Sequence, residues 1–443
     1  DEVKIEYLSP DEVAGSSDLQ GNLLRVSSFP DGIAPPWSPF HESYRPENYR
    51  TDAEVIGPTG QPALRVETAA LEPNKYVAAI ITPFFGMGER YYTFSFWAKA
   101  ENSGHQLNMR MGPPSQQLWH EPYQKVITLG KEWKRFKHTV KIPYSADACF
   151  LAQIFNWGSK AVFWVDGVQV EVGEELGEFK RSGRVEAVIQ AEAPYGLILA
   201  GEQFRLRLTV YDDVVDGMLL KSEIFDVFGK PWNLPDIPLS PGKTFRKNFI
   251  LPELGQPPLG SYRLEYRVVD KDGQAVSKVG ELILHRVRPA KFANEFLIDS
   301  PFGTHITSNS EMPAVARKLG FTWARMFGLQ WQSVEREKGL WNFDGMDKTI
   351  DNIINSKMCI LGILEGVPVW ARSWIMPNPA PKGYNNWHAK NVPPKNNDDF
   401  GEYAKRIAER YKGKIQAFET WNEPFLPGFL NKGFENGKYI HPS

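Results

Sequence analysis

The pattern of apolar residues changes once along this chain, near Pro289, and no single layer architecture accommodates both halves of it. Before that point short runs alternate apolar and polar residues between clusters of Gly, Pro, Asn and Ser. They include ALRVET, YYTFSFWAKA, QLNMRMG, KRFKHTVKI and AVFWVDGVQVEVG up to Gly173, then VEAVIQAE, FRLRLTVYDD, GSYRLEYRVVDKDG and KVGELILHRV up to Arg288. Alternation with period two buries one face of a strand, and many such strands at short spacing predict all-β sandwiches. In YYTFSFWAKA, Tyr92, Phe94, Phe96 and Ala98 share one face, and Tyr91, Thr93, Ser95 and Trp97 the other. After Pro289, apolar strands (FGTH, FTWARMF, MCILGILE, IQAFETWNE) alternate with helical stretches (EMPAVARKLG, DGMDKTIDNIINSK, NDDFGEYAKRIAERYKG), which predicts βα units on a parallel sheet. Ser310 precedes a helix over Glu311–Gly320, and Asn397 with Asp398 precedes another that ends near Gly413.

The expected architecture is therefore multidomain: a β-sandwich over residues 1–175, an immunoglobulin-like sandwich over 176–290, and βα units over 291–443. Lys and Arg total 51 against 53 Asp and Glu, a formal net charge of −2 without long runs of one sign, which points away from nucleic acid and from an anionic membrane surface. No stretch reaches about 18 consecutive apolar residues, so no membrane span is expected. The charged opening DEVKIEY, in place of a basic-then-apolar leader, suits a processed start. Cys149 and Cys359 lie far apart in apolar stretches and read as two buried thiols rather than a disulfide or a metal site.

The sharpest chemical signal is AFETWNEPF, Ala417–Phe425, where an apolar strand runs into Trp421-Asn422-Glu423-Pro424. Functional residues gather at the C-terminal ends of parallel barrel strands. A Glu there can give a proton to a leaving oxygen and take one back from water, and the neighbouring amide can hold a hydroxyl. A chance Asn-Glu at a strand end remains the plain alternative.

At this point the sequence resembles the large clan of retaining (β/α)₈ glycoside hydrolases, and family 39 most of all. Besides ETWNEP, the segment Trp331-Gln332-Ser333-Val334-Glu335 with Gly339, Trp341-Asn342-Phe343 and Asp347 resembles theirs after strand two, and Gly366-Val367-Pro368-Val369-Trp370-Ala371 resembles their loop after strand three. The resemblance implies that residues 291–443 are the first half of a TIM barrel, with Glu423 as acid/base. It implies Arg325 as the holder of the nucleophile, and His305, Asn422 and Trp370 as lining of the sugar subsite. A nucleophilic Glu after strand seven has no counterpart here and is expected beyond residue 443. Glu419, four residues before Glu423, is expected about 13 Å from the active-site rim at roughly 3.3 Å per residue.

FSFWAKA and FWVDGVQVEVGE in turn resemble the jelly-roll carbohydrate-binding modules of bacterial polysaccharide hydrolases. In that module Trp97, Trp119 and Trp157, with Arg110 beside them, are the aromatics able to stack on sugar rings, although core packing explains each of them more simply. The resemblance also implies a structural calcium ion, with Asp166 as a ligand or, more simply, as a turn former, and no cofactor for catalysis. The whole reads as a secreted, periplasmic or cell-surface hydrolase of bacterial type acting on a β-linked polysaccharide, whose partner is the missing half of its barrel. The rival is a non-catalytic carbohydrate-binding or surface-assembly protein that keeps an incomplete barrel as a fold element.

Overall fold

The computed structural model describes residues 21–29, 32–33, 36–39, 48–72, 75–113, 121–142, 148–251, 259–292, 294–306, 311–326, 329–375, 390–426, 429–435 and 438–440. They divide into two compact units, Asp1–Arg286 and Val287–Ser443. The protein is mostly β-sheet, arranged in several sandwich-like layers with few helices.

In the first unit, two antiparallel sheets share one core. One runs in the order Ser38–Pro39, Lys75–Gly86, Ala148–Gly158, His105–Gly112, Gln124–Leu129, and the other Tyr49–Ile56, Pro62–Glu67, Val162–Val172, Arg90–Ala100, Lys134–Ile142. The period-two alternation does what it predicts: Tyr92, Phe94, Phe96 and Ala98 point inward and are fully buried with Phe150 and Phe163. That alternation also corrects the reading of Cys149. With Phe150 committed to the core, Cys149 faces outward and is exposed, whereas Cys359 is buried.

A second sandwich follows in the same unit, with Glu186–Ala191, Arg205–Val214 and Gly242–Ile250 in one sheet. Leu197–Leu199, Gly280–Val287, Gly260–Val269, Leu219–Asp226 and Pro231–Asn233 form the other. Leu206, Leu208, Leu264 and Val268 fill its core. The Asp-Gly turn sits where expected: Asp270 accepts the backbone N–H of Asp272 at 3.0 Å and of Gln274 at 2.9 Å, and Gly273 takes the left-handed φ of 78° that the turn needs.

The two sandwiches are joined through buried polar groups. Glu186 accepts from the Ser27 N–H at 2.8 Å, the Ser27 hydroxyl at 2.5 Å, the Ser28 hydroxyl at 2.8 Å and the Ser182 N–H at 3.4 Å. Asn22 donates to the carbonyls of Val168 at 2.9 Å and Lys180 at 3.1 Å. Val188 and Tyr211, from the second sandwich, pack into the core of the first.

The second unit holds four strands, β1 (Gly303–Ile306), β2 (Trp323–Met326), β3 (Cys359–Leu364) and β4 (Ala417–Thr420), parallel and in chain order in one sheet. Helix α1 (Met312–Lys318) connects β1 to β2, α2 (Trp331–Val334) and α3 (Asp344–Asn355) lie between β2 and β3, and α4 (Asn397–Arg410) precedes β4. Apolar residues at helical spacing bury Met346, Ile350 and Ile353 of α3 and Tyr403 and Ile407 of α4. The cap of α4 is Asn396, one residue before the expected start, and its side chain accepts the Asp398 N–H at 3.0 Å. Ser310 lies outside the described residues. Asp347 accepts from Arg410 at 2.9 Å and 2.5 Å and from Tyr411 at 2.8 Å, tying α3 to the end of α4.

Candidate active site

Strand β4 stops at Thr420 because the next residues leave the extended region: Trp421 and Glu423 both take left-handed backbone, with φ of 66° and 45°. Such φ values cost non-glycine residues about 1–3 kcal/mol each and persist only where the surroundings over-determine them. Here the surroundings do. The Trp421 N–H donates to the Leu364 carbonyl at 3.0 Å, its indole N–H to the Phe429 carbonyl at 2.5 Å, and its buried ring lies 6.3 Å from that of Phe400. The Leu426 N–H returns to the Glu423 carbonyl at 3.0 Å, closing the turn around Pro424.

Arg325 gathers the turn from below. Its Nε donates to Glu419 Oε2 at 2.9 Å, and its second terminal nitrogen donates both to Glu419 Oε1 and, at 3.0 Å, to Asn422 Oδ1. This bidentate pairing holds the guanidinium more firmly protonated than an isolated arginine. It also revises one expectation. Among the described residues Arg325 bonds Glu419 and Asn422. Glu419 is thus not remote from Asn422, because the left-handed Trp421 folds Asn422 back over the strand end until one guanidinium nitrogen serves both. Asn422 in turn donates from Nδ2 to Glu423 Oε2 at 3.4 Å, and Glu423 is exposed to solvent.

His305 on β1 is level with Arg325 in the strand register and is exposed. Trp370 sits in the short turn Val369–Ala371 and its ring is engaged by protein. Its indole N–H donates to the Glu335 carbonyl at 3.1 Å, Trp331 meets it edge-on at 5.3 Å, and the Lys338 ammonium lies 5.1 Å over it. The residue that organises this side is Glu335, whose part the sequence reading did not assign. Buried, it accepts from the Trp331 indole at 2.7 Å and from the Gly339 N–H at 2.7 Å, and Gly339 needs its left-handed φ of 86° to deliver that N–H. The spacing Trp331, Glu335, Gly339 carries that signal.

Glu365, just past β3, is also buried. Burial raises its pKa, while Lys390, the backbone N–H of Asn422, Gln330 and Arg325 pull it back down.

In the first sandwich, Trp119 lies outside the described residues, and so does the side chain of Trp157. The Trp97 ring is taken up by packing, with the Arg135 guanidinium 4.5 Å over it and Phe179 edge-on at 5.5 Å. Arg110 lies 4.2 Å over Phe155 and donates to Gln124 at 2.9 Å, and burial lowers its pKa to about 10. Asp166 does not fit a calcium ligand. Its two oxygens accept the N–H and hydroxyl of Thr59, each at 2.8 Å, and it fills the space beside Gly57, where any side chain would collide with it. Among the described residues no three Asp, Glu, His or Cys side chains converge as a metal site would require. Nor is any described helix long and apolar enough to cross a membrane.

No family model and no curated protein matches the chain. Among solved structures it is similar to a family 39 glycoside hydrolase from the gut symbiont Bacteroides cellulosilyticus WH2, with 15% identity and a TM-score of 0.36 over 53% of this chain and 44% of that one. The chain thus spans less than half of that protein's length. It is also similar to TmCBM61, solved with beta-1,4-galactotriose (12% identity, TM-score 0.26, 34% of this chain and 99% of that one). A third is the CBM22-1-CBM22-2 tandem of Paenibacillus barcinonensis Xyn10C (12% identity, TM-score 0.27, 61% of this chain and 99% of that one). At these scores the likenesses carry no argument about function, which rests on the site itself.

Proposed function

We propose that this chain belongs to a retaining glycoside hydrolase acting on a β-linked polysaccharide, that residues 291–443 are the first half of its (β/α)₈ barrel, and that Glu423 is the general acid/base. The observation that carries the reading is the strained turn after β4, where Trp421 and Glu423 are held in left-handed backbone and Asn422 links Arg325 to an exposed Glu423 carboxyl. Strain of this kind is kept where a side chain must be presented to a ligand. Glu423 protonates the leaving glycosidic oxygen and then takes a proton from the attacking water. Asn422, oriented by Arg325, holds a sugar hydroxyl beside the scissile bond. The nucleophile is a second carboxylate supplied by the other half of the barrel, about 5–5.5 Å from Glu423. Glu419 and Glu365 are not proposed as that group: Glu419 lies within β4, four residues before Glu423 and on the same strand, and Glu365 is buried just past β3. The first sandwich is proposed to be a jelly-roll module that keeps the enzyme on its polymer, and the second an immunoglobulin-like spacer.

The test is Glu423→Gln in the enzyme with its complete barrel. Polysaccharide turnover should fall by about 10²–10⁴-fold, the usual worth of general acid catalysis. Aryl glycosides with good leaving groups should suffer less in their first step, and azide, which needs no general base, should restore turnover and yield a β-glycosyl azide. Near-native polysaccharide turnover by the variant, or an α-azide product, would falsify the assignment.

A further inference from the structure

We infer that the outer face of the first sandwich carries a binding site for an anionic polysaccharide, built on one row of side chains that crosses its strands from Arg50 to Trp133. The inference rests on the reading of this sandwich as the module that holds a polymer, and it does not depend on the role of Glu423.

Residues directly opposite each other on antiparallel strands point to the same face. Arg50 on Tyr49–Ile56 is opposite Arg65 on Pro62–Glu67, Arg65 is opposite Trp164 on Val162–Val172, and Trp164 is opposite Lys99 on Arg90–Ala100. The residues beside them, such as Tyr49, Leu64, Val165 and Ala98, fill the core, so the row faces outward. Trp133 extends it, since it precedes Lys134, whose partner is Ala98. From Arg50 to Lys99 the row crosses three strand spacings of about 4.8 Å, or about 14 Å. That span suits a stretch of linear polymer better than a small ion.

The row is cationic and aromatic. The Lys99 ammonium lies 5.3 Å from the ring centres of both Trp133 and Trp164, and all three side chains are partly exposed. The Trp164 ring is held in place by its indole N–H, which donates to Asp52 at 2.8 Å. Glu67 pairs with Arg65 at 2.9 Å. Among the described residues, by contrast, the Lys99 ammonium and the Arg50 guanidinium have neither an acceptor nor a carboxylate partner, and the exposed Glu101, two residues past Lys99, makes no ion pair. Trp97, the next ring along this face, differs on that point. The Arg135 guanidinium over it already donates to the Gly177 carbonyl at 2.7 Å and the Ser95 hydroxyl at 3.1 Å. Arg50 directly opposite Arg65 is a like-charge pair that weakens a sheet, and an anion seated there relieves it. Sugar rings offer C–H faces to indoles, and a carboxylate or sulfate on them accepts from ammonium and guanidinium groups. A polymer of charged sugars brings both at a regular repeat. The chain's net charge of −2 lacks the extended basic field that nucleic acid calls for.

Three soluble polymers with the same β-linked glucan backbone isolate the charge: carboxymethylcellulose, cellulose sulfate and the neutral hydroxyethylcellulose. In affinity electrophoresis of the whole chain, at least one of the two anionic polymers should bind about tenfold or more tightly than the neutral one, and added salt should weaken it. Which of the two binds tells a carboxylate ligand from a sulfate. Lys99→Gln keeps the length of the side chain but drops the charge, and should weaken anionic binding by about tenfold. Arg50→Gln, at an exposed position, should weaken it by about threefold. Trp164→Ala should weaken it while every charge stays in place, whereas Trp164→Phe should restore part of the loss. Urea midpoints show which variants keep the fold, and Lys99→Gln carries the test if the Trp164 variants do not. Equal affinity for neutral and anionic polymers would overturn the proposal. So would undiminished binding in Lys99→Gln, or equally tight binding of polyglutamate or an oligothymidylate. If the neutral polymer binds and no variant alters it, the sandwich holds its polymer elsewhere and only this site is wrong. If none of the three polymers binds, the polymer-holding role fails with it.

Discussion

One guanidinium decides the geometry of the site. Arg325 is the sole described side chain seen to bond both the middle of β4, through Glu419, and the turn beyond it, through Asn422. A lysine in its place offers one point charge where the fork offers two parallel donors. Arg325→Lys should therefore keep the pair with Glu419 but release Asn422. With Arg325 and Glu419 side chains 23% and 32% exposed, solvent screening limits the loss of unfolding free energy to about 1 kcal/mol, measurable in urea. Activity should suffer more than stability, because the amide that orients Glu423 is freed. A variant that lost 1 kcal/mol and no activity would show that Asn422 holds its place without Arg325.

The strands and helices themselves were largely legible in the sequence. Alternation in YYTFSFWAKA set Tyr92, Phe94, Phe96 and Ala98 on one face, the one the core takes, and the stretches of α3 and α4 read as helices, since both depend on local pattern alone. What escaped depends on partners distant along the chain. The outward turn of Cys149 follows from Phe150 taking the core, and the engagement of Trp97 and Trp370 follows from Arg135, Phe179, Trp331 and Glu335. The proximity of Glu419 to Asn422 was hidden because the reading took the strand as straight through Glu423, whereas Trp421 turns left-handed.

Burial of polar groups within a strand was equally hidden, and it has a measurable effect in Lys134–Ile142. There burial lowers the pKa of His138 to about 4, against the pull of backbone hydrogen bonds at Tyr123 and Pro122. The folded value lies below the unfolded value of about 6.5, so the stability this residue contributes is present above pH 6.5 and is lost as the pH falls toward 4. The sandwich should lose on the order of 2–3 kcal/mol of unfolding free energy across that window. His138→Gln should flatten the slope, and denaturant unfolding at a series of pH values checks both. An equally steep slope in the variant would assign the loss to other groups.

At the scale of the molecule, Glu186 makes two sandwiches behave as one unit. Its carboxylate takes donors from Ser27, Ser28 and Ser182, and Val188 and Tyr211 beside it cross into the first core. Removing it strands several buried donors at once, so Glu186→Ala should cost about 2–4 kcal/mol and split one calorimetric transition of the first unit into two. A single transition shifted to lower temperature would mean that the apolar contacts alone couple the sandwiches.

The contacts that shape the turn after β4 share one further property. Arg325, Leu364, Glu419 and Phe429 all lie within a span of roughly a hundred residues that ends close to the turn itself. During synthesis from the N-terminus, that span leaves the ribosome as one stretch. The turn can then reach its strained shape from contacts local to this part of the chain, without waiting for a partner elsewhere in it.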